Sequence, residues 1–132
     1  MTARFLLDAD FLIYALAGDA DAMRWLLLEK GEVNISALAY AQVEAGLGDA
    51  SGDDRERRLS LDRLLLRIAV TPFDADAARV FAKIVRAREK PVRKHAIDYM
   101  IAAQAIVISA SLVTNNVRDF KGIDGLTIER WR

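Results

Sequence analysis

Asp8 and Asp10 stand two residues apart, directly after the apolar run Phe5-Leu6-Leu7. Asp98 opens a second apolar stretch, and Asp119 follows the polar run Thr114-Asn115-Asn116. Side chains of this type share one chemistry when they are brought together. At ~4 Å and an effective dielectric of 20, two carboxylates repel by roughly 4 kcal/mol, so a cation relieves a cluster of them. A donor set made of oxygen favours Mg2+ or Mn2+. An ion held that way can activate water and stabilise a phosphoryl group in transition, which suffices to hydrolyse a phosphodiester. Each acid also has a plainer role open to it. Asp8 can start a turn, Asp10 can cap a helix, Asp98 can be a helix N-terminal charge favoured by the dipole, and Asp119 can be a loop residue. Co-location decides between the two readings, and that depends on the elements that carry these residues.

Residues 5–7 read as a short buried strand ended by Asp8. A helix is expected over 11–17, broken at Gly18. A second runs from an Asp19 cap through Leu28 and is terminated by Gly31. Residues 33–35 read as a second strand, and Ser36 caps a helix over 37–47. Residues 51–58 are polar and charged, a loop or a solvated helix start, after which Leu61, Leu64, Leu65 and Ile68 recur at helical spacing. A third strand is expected over 69–73, then a helix capped by Asp74 and running to about Glu89, with a break at Pro91. Residues 96–109 are mostly Ala, Ile and Val, apolar nearly all round, and predict a helix buried on several sides. Leu112-Val113 reads as a fourth strand, and residues 126–128 as a possible fifth at an edge. Short apolar strands alternating with helices predict an α/β fold, a short, mainly parallel sheet of about four or five strands sandwiched by helices. In such sheets the active site lies outside the carboxyl ends of the strands. Asp8, Asp98 and the segment from Thr114 to Asp119 are expected to meet there.

A chain of 132 residues with 53% hydrophobic content is expected to form one domain over 1–132 and not to be disordered. It has no cysteine, which excludes disulfides and thiolate metal sites and fits a reducing cytoplasm, the compartment expected here. Nineteen basic residues balance 19 acidic ones, so overall charge says nothing for nucleic-acid binding and the distribution must be read instead. No signal peptide is expected, because Asp8 and Asp10 interrupt the apolar run near the N-terminus. No apolar stretch reaches the ~18 residues of a membrane span, so a membrane is not among the expected partners.

The distribution of charge is informative. Arg86, Arg88, Lys90, Arg93 and Lys94 crowd the segment that leads to Asp98, diluted only by Glu89. A basic edge beside an acidic cluster would hold phosphates that the cluster alone repels; it would equally suit a solvated helix end whose cations match the dipole. His95, the single histidine, is either within reach of a scissile phosphate or a loop or cap residue. The apolar run Trp25-Leu26-Leu27-Leu28 reads as core, though part of it, or Tyr14 and Leu16, could serve a partner's groove.

Several of these segments resemble one known family. Leu6-Leu7-Asp8-Ala9-Asp10-Phe11-Leu12-Ile13 is similar to the LLDTNVLI opening of PIN-domain proteins. Ile35-Ser36-Ala37, followed by Ala41-Gln42-Val43-Glu44-Ala45-Gly46, is similar to their second motif, ISxxTxAELxxG. Asp98-Tyr99-Met100-Ile101-Ala102-Ala103 resembles the third, D-x-x-I-A-A. Leu112-Val113-Thr114-Asn115-Asn116-Val117-Arg118-Asp119-Phe120 resembles the fourth, LVTNNxxDF. The ending Gly125-Leu126-Thr127-Ile128-Glu129-Arg130-Trp131 is similar to the PGLxxENW tail of VapC toxins. The five motifs stand in order and span the chain. The resemblance implies a PIN-like fold and an endoribonuclease toxin of a type II toxin–antitoxin system. Such toxins cleave structured RNA, tRNA or rRNA, and so block translation. It implies Mg2+ or Mn2+ with Asp8 and Asp98 as central ligands. Asn116 and Asp119 would complete the site, directly or through water, and Thr114 would orient its neighbours. It also implies a VapB-like antitoxin as partner, and a homodimer that forms a heterotetramer or larger assembly with it. Arg93 and Lys94 are the candidate RNA-binding residues.

At the second motif the chain departs from the family. The acid of that motif falls at Gln42, which has nearly the shape of Glu but no charge, and whose NH2 donates where a carboxylate would accept. Such a site would hold metal weakly and orient water poorly, so Gln42 is expected to silence or weaken catalysis. Three explanations stand open. Glu44 takes over the role, although two residues along a helix is about 200° round and should face it away. Or the chain is a naturally degenerate member, in the limit a non-catalytic module that binds protein or RNA. Or Gln42 is an introduced neutralisation of an enzyme that would otherwise poison its host. A phosphatase-like enzyme on a doubly wound sheet is disfavoured, because no Gly-rich phosphate loop follows the first strand.

Overall fold

Three consecutive apolar residues of the first strand, Phe5, Leu6 and Leu7, are buried. A strand buried on both faces belongs in the middle of a sheet covered on both sides. In the computed structural model, which describes residues 2–48, 52–88 and 92–132, that is where β1 (Arg4–Leu7) lies. It is flanked by β2 (Glu32–Ser36) and β4 (Ser111–Val113), with β3 (Ala69–Thr71) outside β2 and β5 (Thr127–Glu129) outside β4. The five strands run in the order β3-β2-β1-β4-β5, every pair parallel. The chain builds outward from β1 on one side, then returns across it to build the other. This reversal opens a crevice at the carboxyl ends of β1 and β4.

Among the described residues six α-helices make the crossovers from β1 to β4: α1 (Ala9–Leu16), α2 (Ala20–Leu28), α3 (Ala37–Leu47), α4 (Asp53–Leu65), α5 (Ala75–Arg86) and α6 (Ala96–Val107). Three start where their caps predict. Asp19 accepts from the Ala22 N–H, Ser36 from Leu38 and Ala39, and Asp74 from Ala77, each satisfying amides that have no partner within the helix. The first helix begins earlier than expected. Asp8, not Asp10, is its cap, accepting from the Phe11 N–H at 2.9 Å. Residues 53–65 form one continuous helix, in part because charged neighbours such as Asp54 and Arg57 pair at i,i+3. β3 is shorter than expected and ends at Thr71, where Pro72 has no N–H to extend the ladder. α5 ends at Arg86, and the break expected at Pro91 lies outside the described residues.

The core joins the sheet to α1 and α6. Leu6, Leu7, Ile35, Leu112 and Val113 meet Phe11, Leu12, Ile101, Ala102, Ala103 and Ala105, and none is more than 1% exposed. α6 is buried on several sides, as its composition predicts. One amide side chain lies within this apolar packing. Gln104 is buried; its Oε1 accepts from the Ser36 hydroxyl at 2.5 Å, and its Nε2 donates to the Thr71 carbonyl at 2.9 Å. α6 is thereby tied to the start of α3 and the end of β3. At Gly31 a Cβ would come within 2.6 Å of the Ala3 carbonyl oxygen and 2.8 Å of the Phe5 ring, so the turn from α2 into β2 admits only glycine.

Candidate metal centre

Asp8 follows β1 and is 5% exposed. Burial pushes its pKa up to about 6, and the nearby charges of Asp10 and Asp98 push the same way. The Phe11 N–H and the Thr114 hydroxyl oppose this by donating to the carboxylate. Thr114, fully buried at the end of β4, also accepts from the Asn116 N–H at 3.0 Å. Its position next to the strand end thus couples β4 to the acid that ends β1.

Asp98 lies in the first turn of α6, half-buried. Its pKa is raised, first by burial and then by Asp119, while His95 opposes the rise. Asp119 sits in the 3-10 turn Val117–Phe120. The Asn116 amide donates to its Oδ2 at 2.6 Å, which fixes the carboxylate. His95, Asp98 and Asp119 can each offer one ligand atom such that all three atoms lie within 4.8 Å of one another.

The residues singled out in the sequence therefore divide. Asp98 and Asp119 come together, and Asp8 lies within electrostatic reach of Asp98. Thr114 and Asn116 each hold one of the acids. Asp10 also lies within electrostatic reach of Asp8; burial raises its pKa and Arg132, which pairs with Asp19 and Asp21, opposes the rise. Gln42 is exposed on α3, in a groove of about 270 Å³ lined also by Ile13, Leu16, Ala17, Val43 and Arg57. Glu44 is committed to Arg58 of α4, whose Nη1 donates to it at 2.9 Å, which fits the expectation that it faces away from the acids. Arg93 and Lys94 are exposed in the 3-10 turn Arg93–His95 that leads into α6. Arg88 is drawn out of the basic edge, donating to the Lys121 carbonyl at 3.3 Å and lying over the Tyr99 ring. Lys90 lies outside the described residues.

The donors fit a divalent cation. Asp98 and Asp119 come together, Asp8 and Asp98 have raised pKa values, and among the described residues no Lys or Arg pairs with Asp8, Asp98 or Asp119. An uncompensated cluster of this kind, held by hydrogen bonds from neighbours, is suited to a hard metal ion. Sequence reasoning left three participants unplaced. His95 was weighed but not joined to the acids, though its spacing three before Asp98 on a helix start puts the two on one side. Gln104 was hidden in an apolar helix. Asn115 uses its side-chain oxygen to accept from the Trp131 and Arg132 N–H groups, both at 3.2 Å, a pairing between residues far apart in sequence.

With this fold and these residues, the chain belongs to the PIN domain family, whose model matches residues 5–126. Within that family it groups with the VapC proteins. It is 27% identical over 131 residues to ribonuclease VapC2 of Rickettsia felis, a match covering 96% of this chain and 97% of that protein. It is 28% identical over 133 residues to the tRNA(fMet)-specific endonuclease VapC of Shigella flexneri, covering 97% and 98%. Its fold superimposes on a chain of the VapBC2 crystal structure from Rickettsia felis, bound to a DNA fragment from their promoter, with a TM-score of 0.81, 24% identity, and 98% and 99% coverage.

Proposed function

We propose that this chain is a Mg2+- or Mn2+-dependent endoribonuclease that acts as the toxin of a toxin–antitoxin pair. The observation that carries this reading is the meeting of Asp98 and Asp119, with Asp8 beside them, at the crevice between β1 and β4. A bound divalent ion would supply an activated water and charge stabilisation at the phosphoryl group. Asp98 and Asp119 would hold it, with Asp8 contributing charge or a ligand and Asn116 acting directly or through water. Thr114 keeps Asp8 oriented by its hydroxyl, and Asn116 keeps Asp119 oriented by its amide. Arg93 and Lys94 flank the crevice and would attract the RNA backbone.

Structured RNA, tRNA or rRNA, is the proposed substrate; the Shigella flexneri relative is named for tRNA(fMet). A VapB-like antitoxin is the proposed partner, in keeping with the VapBC complex that shares the fold. The active unit would be a single domain over 1–132 that dimerises and forms a heterotetramer or larger assembly with antitoxin. Cytoplasm is the proposed compartment; among the described residues no helix is long and apolar enough to cross a membrane.

Gln42 occupies the position of the second-motif acid, and its neutral amide favours a silenced or weakened catalyst. The same residue supports the second reading, a PIN fold that binds protein or RNA without cutting. Incubating total tRNA and rRNA with Mn2+ and either the chain or its Gln42→Glu variant separates the two. Cleavage by the variant, with little or none by the parent, is the expected result. Mn2+ binding with no cleavage by either would favour the binding module.

A further inference from the structure

His95 stands where an all-carboxylate metal site would have no use for it. It closes the 3-10 turn Arg93–His95 and immediately precedes α6, so its side chain falls beside Asp98, one turn on. Its Nδ1 lies 3.5 Å from Asp98 Oδ2, too long for a well-formed N–H···O bond. Two donors that each sit ~2.1 Å from one ion at octahedral to tetrahedral angles are ~3.0–3.4 Å apart. The observed separation is within about 0.1 Å of that range, so the two side chains are placed to share a cation with little movement. Asp119 completes the set, with one ligand atom within 4.8 Å of both. A slight inward movement would let all three reach one ion.

The imidazole is also supported from behind. Tyr99 lies 6.0 Å from it in a tilted stack, and the Arg88 guanidinium lies 5.1 Å from the Tyr99 ring on its own account. Asn116 holds Asp119 from its other side. Two of the three donors, His95 and Asp119, are thus positioned by a neighbour, an arrangement that orients ligands in metal sites generally.

We infer that His95 is a ligand of the metal bound at Asp98 and Asp119, making this a mixed nitrogen–oxygen site that prefers first-row transition ions over Mg2+. The preference follows from ligand chemistry: Mg2+ takes hard oxygen donors and dehydrates reluctantly, whereas imidazole suits transition ions. The inference rests on the crevice being a metal site, as proposed above.

The chain has one histidine, so an imidazole signal has one source. Mn2+ is added to the untagged full chain and pulsed EPR reads directly bonded nitrogen, first with ordinary histidine and then with histidine carrying the heavier nitrogen isotope. The expected result is a nitrogen coupling that changes with the isotope and disappears in His95→Asn. That variant should also lose about tenfold or more in Mn2+ affinity, with a smaller loss in Mg2+ affinity measured by competition. Saturable Mn2+ binding without an isotope-sensitive nitrogen coupling overturns the role of His95 and leaves the metal site standing. Failure of the chain to bind Mn2+ overturns both. The isotope substitution leaves the fold untouched, so the spectrum of the parent protein decides the matter even if the variant folds badly.

Discussion

The carboxylate of Asp8 is held where water barely reaches it, and this has a consequence for stability. Its pKa is about 6 in the folded chain, against about 4 for an exposed Asp. Between those values the folded state binds more protons than the unfolded one, so stability falls as pH rises. The stabilisation is fully present below about pH 4 and lost as pH passes about 6, and it is worth on the order of 3 kcal/mol. In EDTA, Asp8→Asn should therefore unfold at higher urea than the parent at pH 7.5, because Asn caps α1 as well as Asp does and carries no charge. The gap should shrink as pH falls towards 4, and a gap that stays constant would contradict this account of Asp8. A second residue-scale expectation concerns the basic edge. Replacing Arg93 and Lys94 together by Ala should weaken RNA binding and lower the slope of log affinity against log salt by between one and two. An unchanged slope would remove them from the RNA path. At this scale the convergence of Asp8, Asp98 and Asp119 was legible, because Asp8 ends one apolar run, Asp98 opens another and Asp119 lies in the polar segment after the fourth strand. His95 was not, since whether a single histidine serves as cap or ligand depends on a carboxylate brought from another element.

Among the elements, the buried amide of Gln104 is the join most sensitive to change. It links α6 to the N-cap of α3 and to the end of β3, so it fixes the start of the helix that carries Gln42. Gln104→Leu keeps the bulk but leaves the Ser36 hydroxyl and the Thr71 carbonyl without that partner. Chemical denaturation should show a loss of roughly 1–3 kcal/mol; a loss below about 0.5 kcal/mol would mean that water replaces the amide. Helix starts were the most legible elements, because Asp19, Ser36 and Asp74 cap through local bonds that a sequence displays. Asp8 against Asp10 was misread, since both are plausible caps and only the backbone shows which amide is reached. The extent of α4 was illegible for a related reason. Its first turns are charged and solvated, and periodicity reports burial rather than helix.

For the whole molecule, the mainly parallel sheet of about five strands followed from alternating strands and helices, while its strand order and the packing of the C-terminal residues did not. Trp131 is buried at 6% exposure, edge-on to Phe11 at 5.5 Å and beside Tyr14 at 5.3 Å. Asn115 holds the backbone of the last two residues, and Arg132 pairs with Asp19 and Asp21. The end of the chain is thus clasped to α1 and to the loop after β4, the two segments that carry Asp8 and Asp119. Trp131→Ala should destabilise the fold by roughly 3–5 kcal/mol, and a loss under about 1 kcal/mol would show the clasp to be peripheral. The contacts of Trp131 and Arg132 with Phe11, Tyr14, Asp19 and Asp21 join residues more than a hundred positions apart, beyond the reach of local pattern. The central claim is that the crevice between β1 and β4 cuts RNA with a metal. Its most direct test is Mn2+-dependent cleavage of total tRNA by Gln42→Glu, beside the same chain that also carries Asp98→Asn. The account predicts cleavage by the first that EDTA abolishes, and a loss of about a hundredfold or more in the second. Equal cleavage by both, or none by the first on tRNA and rRNA alike, would contradict it.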